Sequence, residues 1–304
     1  MIGGELLRQR LSELARERRG STAPQVAALH DAPRTGGADR SLPVSGARAL
    51  LGVEAYLPGG EWGDAHGRVF VHERLRSDIE TPLADWGHIE ATTRAEPDLL
   101  AIHGLGLENA LFLDLETGGF SSSPVFLAGT MHWTGTDFVL RQYFARHYGE
   151  ESALLRALAE QLDRFAFLVT YNGKSYDAPF LRDRARVHGV RLRLPERHLD
   201  LLHPARRRWR RRLLNCRLQT LELYICHRRR SGDVPSEEVP GLYHDFVRRG
   251  DPYRLIPVFH HNLLDVITMH EVLRALCAPR DPAPPRDWFG AGSWSEETID
   301  VLRR

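Results

Sequence analysis

ALFLDLET, residues 110–117, is a compact apolar run that closes on two acids spaced two apart, Asp114 and Glu116. A pleated strand alternates its side chains, so a strand through this segment turns both carboxylates to one face. Two further apolar runs follow across Gly- and Ser-containing turns, PVFLAGTMHW (124–133) and FVLRQYFA (138–145). Three strands joined by short turns predict an antiparallel meander. ESALLRALAEQLDRF (151–165) then carries Leu154, Leu155, Leu158 and Leu162 at helical spacing, and FAFLVTYN (165–172) reads as a buried strand. Strand, strand, strand, helix, strand is the order of an α/β fold with a mixed sheet.

Outward from this block the sequence predicts helices over 177–188, 217–225 and 257–276, the last with Pro257 suited to a first helical position. Residues 5–19 place Leu7, Leu11 and Leu14 at helical spacing, and a Gly/Ser/Pro/Ala-rich stretch runs on to about residue 48. Residues 1–48 therefore read as a short helix and flexible linker. Residues 49–108 form an N-terminal extension of unassigned role with a strand over 68–73. Residues 109–277 are the main domain, and 278–304 a proline-rich tail.

The chain has 304 residues, 42% of them apolar and 27% charged, the profile of a globular protein with an adequate core. No run reaches the roughly 20 apolar residues of a membrane span, and the opening residues lack the apolar centre of a signal peptide. The expected location is the cytoplasm, with Cys216, Cys226 and Cys277 as reduced thiols. Net charge is only +1, but ten arginines face one acid, Glu222, between Leu201 and Arg230. Lys174 is the only lysine among 41 basic residues.

Two later segments carry acids in telling places. TYNGKSYDAPFL (170–181) puts Asp177 where a buried strand gives way to a helix, an edge at which α/β proteins place ligands and at which an aspartate also serves as a helix cap. HHNLLDVITM (260–269) puts Asp265 in the last helix with His261 one turn before it. Each segment alone has a plain structural explanation. Together, four carboxylates from a strand, a junction and a helix can surround two hard divalent cations, which prefer oxygen ligands. Such a pair activates water and stabilises the departing oxygen of a phosphodiester, with a histidine as general base.

FLDLETGG (112–119), TYNGKSYDAPFL and the stretch from LQTLELYICHRRRSGDVPSEEVPGLYHDFVRRGD (218–251) into HHNLLDV resemble the DEDD exonucleases of the ribonuclease-H-like superfamily, in particular their YprB-like branch. The resemblance spans roughly residues 108–277. It implies a mixed five-stranded sheet flanked by helices, two Mg²⁺ or Mn²⁺ ions, and hydrolysis of nucleic acid from a 3′ end. It also implies that Asp114, Glu116, Asp177 and Asp265 are metal ligands. Family patterns place the base either five residues before the last aspartate, here His260, or four before it, here His261. A helix starting at Pro257 favours His261, and a loop reaching to 261 would favour His260.

HPARRRWRRRLLNCR (203–217) sets Arg206, Arg207, Arg208, Arg210, Arg211 and Arg212 around Trp209. Arginine forks bind phosphate and an exposed indole stacks on a base, so this segment, with Lys174, is the expected surface for single-stranded DNA or RNA. Arg228, Arg229 and Arg230 would extend it. The expected activity is a 3′–5′ exonuclease. The rival readings are a structure-specific endonuclease on the same fold, a nucleic-acid-binding module without chemistry, and a scaffold that recruits partners through its termini.

Overall fold

The computed structural model describes residues 52–82, 85–89, 97–119, 122–230 and 232–279. The helix expected over 5–19, the linker after it and the proline-rich tail beyond 279 lie outside the described residues. Seven strands form one sheet: β1 (Gly60–Asp64), β2 (Gly67–Leu75), β3 (Ala110–Thr117), β4 (Val125–Trp133), β5 (Phe138–Phe144), β6 (Phe167–Thr170) and β7 (Arg197–Asp200). Their order is β1-β2-β5-β4-β3-β6-β7. Strands β3, β4 and β5 pair antiparallel, and β6 and β7 run parallel to β3.

The expected five-stranded mixed sheet is the β5-β4-β3-β6-β7 part of this array. Two more strands join because β2 pairs antiparallel with β5 and folds back into β1. Val69, Phe70 and His72 of β2 are buried, so the hairpin covers an edge of β5 that would otherwise be open.

The α-helices among the described residues are α1 (Pro97–Leu105), α2 (Glu151–Leu162), α3 (Asp177–Val187), α4 (Leu202–Trp209), α5 (Leu218–Tyr224), α6 (Val239–Arg249) and α7 (Ile256–Cys277). Alternation along β3 divides the core. Leu111 and Leu113 pack with Leu154, Leu155 and Leu158 of α2 on one face. Ala110 and Phe112 pack with Val266, Ile267 and Met269 of α7 on the other. Period two continues that second face through Asp114 and Glu116, so both acids look toward α7. A register irregularity between Glu116 and Thr117 ends the regular pairing just past them. α7 is buried along most of its 22 residues, which makes it a rigid support for whatever it presents to β3.

Candidate active site

Asp114 lies opposite Gly129 of β4, and Gly129 lies opposite Gln142 of β5. Asn262 of α7 presses into this row. It donates through Nδ2 to Asp114 Oδ2 at 2.9 Å and accepts from Gln142 Nε2 at 2.9 Å. A Cβ on Gly129 would stand 2.1 Å from the Asn262 side-chain oxygen, so only glycine admits this contact. Asn262 has no exposure, and its amide fixes the rotamer of the Asp114 carboxylate.

Asp177 is the first residue of α3, directly after the loop that leaves β6. Asp200, at the end of β7, shapes that loop by accepting from the backbone N–H groups of Asn172 (2.8 Å), Lys174 (3.1 Å) and Leu202 (3.0 Å). Asn172 takes a left-handed φ of 64°, a conformation asparagine tolerates. Gly173 leaves no room for a Cβ, which would come within 2.3 Å of Thr170 Oγ1. With the loop so held, Asp177 opens α3.

Burial and neighbouring charge act together on the acids. Burial holds the Asp114 carboxyl well above the usual range, and the charges of Asp265, Glu116 and Asp177 push it the same way. Burial pushes Glu116 up to about 8, with His261 opposing and Asp265 and Asp177 adding to the rise. Asp177 is raised to about 7, chiefly by burial and then by the charge of Asp200. All three of these residues remain partly open to solvent.

Asp265 accepts a hydrogen bond from Arg230 Nη2. His261, 4% exposed, places Nε2 3.4 Å from Asp265 Oδ2 and Nδ1 2.7 Å from Asp233 Oδ1. Burial disfavours its charge, but Asp265, Asp233 and Glu116 raise it to about 9. The structure therefore brings His261 into contact with Asp265. His260, one residue back, is half-buried, and burial lowers it to about 4.

No three His, Cys, Asp or Glu side chains among the described residues converge on one point as they stand. Asp114 is turned toward Asn262 and Asp265 toward Arg230. The donor set nonetheless suits a hard cation. It is all oxygen, and carboxylates raised by burial and mutual repulsion are relieved by positive charge. Asp114, Glu116, Asp177 and Asp265 are the side chains that would hold it.

The basic segment divides in two. Arg206, Arg207, Arg210 and Arg211 are exposed and Arg212 is half-exposed. Trp209 does not stack on nucleic acid from where it lies. It is 5% exposed, because Leu202, Ala205 and Trp209 form the α4 stripe that packs into the core. Arg208 is likewise turned inward, donating to the carbonyls of Ala275, Leu276, Ala278 and Pro279 at the end of α7. Orphan carbonyls at a helix C-terminus account for that placement. Nor do Arg228 and Arg230 extend a phosphate-binding surface. Arg228 pairs with Glu80 and Glu271, and Arg230 with Glu222 and Asp265. Lys174 is exposed beside the Asp177 loop. Tyr176, next to Asp177, is 69% exposed and offers the open aromatic face that Trp209 does not.

The sequence profile of the RNase H superfamily matches residues 111–277, the span that holds all four acids. The chain belongs to the RNase H superfamily. Uncharacterized protein YprB of Bacillus subtilis (strain 168) is 32% identical over 221 residues, 67% of this chain and 53% of that protein. The chain thus spans about half the length of that relative. The family B DNA polymerase of the hyperthermophilic archaeon Pyrobaculum calidifontis aligns with a TM-score of 0.44 at 18% identity, over 56% of this RNase H superfamily chain and 27% of the polymerase. No helix among the described residues is long and apolar enough to cross a membrane.

Proposed function

We propose that the chain is a metal-dependent 3′–5′ exonuclease that hydrolyses phosphodiester bonds of single-stranded DNA or RNA with two Mg²⁺ or Mn²⁺ ions. The observation that carries this reading is that the charges of Asp265, Glu116 and Asp177 all bear on the buried Asp114 carboxyl, with His261 Nε2 3.4 Å from Asp265 Oδ2. When bound, divalent cations supply an activated water and stabilise the departing oxygen. The chain's own residues do the rest. Asn262 and the Asp200-bound loop keep two of the carboxylates in place. His261 holds a proton while the acids around it are uncompensated. Once their charge is offset its basicity falls, and Nε2 becomes able to accept a proton from the attacking water.

The exposed arginines of the 206–212 segment and Lys174 would hold the phosphates of the incoming strand, and Tyr176 would stack on a base beside Asp177. We place the activity in the cytoplasm. The 3′ polarity rests on the resemblance to DEDD exonucleases. The test is digestion of 3′-labelled, 5′-labelled and circular single strands of DNA and RNA with Mg²⁺, Mn²⁺ or chelator. Stepwise loss from the 3′ end with circles intact supports the exonuclease. Cut circles would replace it by an endonuclease on the same fold, and binding without cleavage under every metal by a binding module.

A further inference from the structure

The segment between α5 and α6 carries an acid that the sequence alone does not single out. Val234 buries itself among Phe126, Tyr243 and Phe259, which fixes this loop against the sheet. One residue earlier, Asp233 accepts the Val234 N–H at 3.0 Å through the same Oδ1 that lies 2.7 Å from His261 Nδ1. Arg230 Nη1 stands 3.6 Å from the other Asp233 oxygen and so holds the carboxylate from behind.

A carboxylate can only accept, and an unprotonated Nδ1 at this distance would set two lone pairs against each other. Nδ1 therefore carries hydrogen. Arg230 Nη1 is also 3.4 Å from Nδ1, but that is the outer limit of a contact, whereas the Asp233 distance is that of a charge-assisted hydrogen bond. With Nδ1–H committed to Asp233, the remaining ring nitrogen, Nε2, is the one aimed at the carboxylate cluster. Which nitrogen of a histidine is available is set by the bond the other makes.

We infer that Asp233 is a positioning residue that fixes the ring orientation and Nδ1–H form of His261, so that Nε2 faces the reacting centre. The inference rests on the nuclease reading only for its catalytic consequence, because the hydrogen bond itself can be read without turnover.

The experiment pairs a spectrum with a cycle of variants. In ¹⁵N-histidine-labelled metal-free protein, wild type is expected to show a downfield, slowly exchanging Nδ1 proton that His261→Gln removes and so assigns. Asp233→Ala is expected to lose that signal while the rest of the spectrum stays folded. Asp233→Asn, which keeps an acceptor without charge, should shift it. In the metal-loaded enzyme Asp233→Ala is expected to lower kcat roughly 10- to 100-fold with KM little changed, the range for outer residues that orient a functional side chain. In a His261→Gln background the same substitution should cost almost nothing further. The inference is overturned if the proton survives in Asp233→Ala, or if Asp233→Ala slows His261→Gln by the factor it slows wild type. If wild type degrades nothing under any metal, the nuclease reading fails while the spectrum still decides the hydrogen bond.

Discussion

Glu116→Gln should make the metal-free protein more stable at neutral pH. The carboxyl ordinarily titrates near 4.5 and is pushed up to about 8 in the fold. The folded state thus holds a proton that the unfolded chain releases, and the contribution to stability is unfavourable. It is absent below pH 4.5, grows as pH rises from 4.5 to 8, and is constant above that. At pH 7 the unfolded chain is favoured by about 2.5 pH units of proton release, or about 3.5 kcal/mol at roughly 1.4 kcal/mol per unit. Partial exposure of Glu116 reduces this to about 1–3 kcal/mol, since screening weakens charge terms at accessible sites. For a domain of this size that is a rise in Tm of roughly 3–10 °C. The assay is thermal denaturation in chelator at pH 4.5 and pH 7, then at pH 7 with Mn²⁺. Glutamine removes the burden, so the variant should exceed wild type at pH 7 and match it at pH 4.5. Mn²⁺ should raise wild type more than the variant. A variant no more stable than wild type at pH 7 in chelator would refute the account of a crowded, uncompensated acid cluster.

Further expectations follow from named contacts. Gly129→Ala places a methyl 2.1 Å from the Asn262 oxygen, so it should displace Asn262 from Asp114 and abolish metal-dependent hydrolysis, at a cost of about 1–3 kcal/mol in urea denaturation. Alanine at Arg206, Arg207, Arg210 or Arg211 should each flatten the slope of log affinity for a single strand against log salt by about 0.7, whereas Arg208→Ala should lower stability and leave the slope alone. Arg76 is 1% exposed, ion-paired to Glu80 and Glu271 and set over the Trp86 ring at 4.4 Å. Arg76→Ala, which breaks this buried pairing, should cost about 3–5 kcal/mol by the same measurement.

The strands and helices that carry the acids were legible because each announces itself locally. β3 has an uninterrupted apolar run, and α7 has helical spacing behind a proline. The junction at Asp177 follows a buried strand. β7 did not, because four residues, Arg197–Asp200, offer no apolar pattern, yet it supplies the Asp200 carboxylate that holds the Asp177 loop. β2 itself was legible as the strand over 68–73, but its place in the sheet was not, because its partner β5 lies about 70 residues away in sequence. Trp209 misled because arginines surround it, although Leu202, Ala205 and Trp209 at i, i+3 and i+7 already mark a buried helix face. Arg228 and Arg230 look like surface charge until Glu80, Glu222 and Glu271 are brought beside them by folding. Asp233 is a single acid in a loop, and only the position of His261 gives it meaning.

Metal-dependent hydrolysis by the four carboxylates is the central claim. The measurement is degradation of a labelled single strand by wild type and by Asp114→Asn, each in Mn²⁺ and in chelator, with both proteins checked for folding. Hydrolysis by wild type only with metal, and its loss in a folded Asp114→Asn, is the predicted result. Equal hydrolysis by the variant, or hydrolysis that persists in chelator, would contradict it.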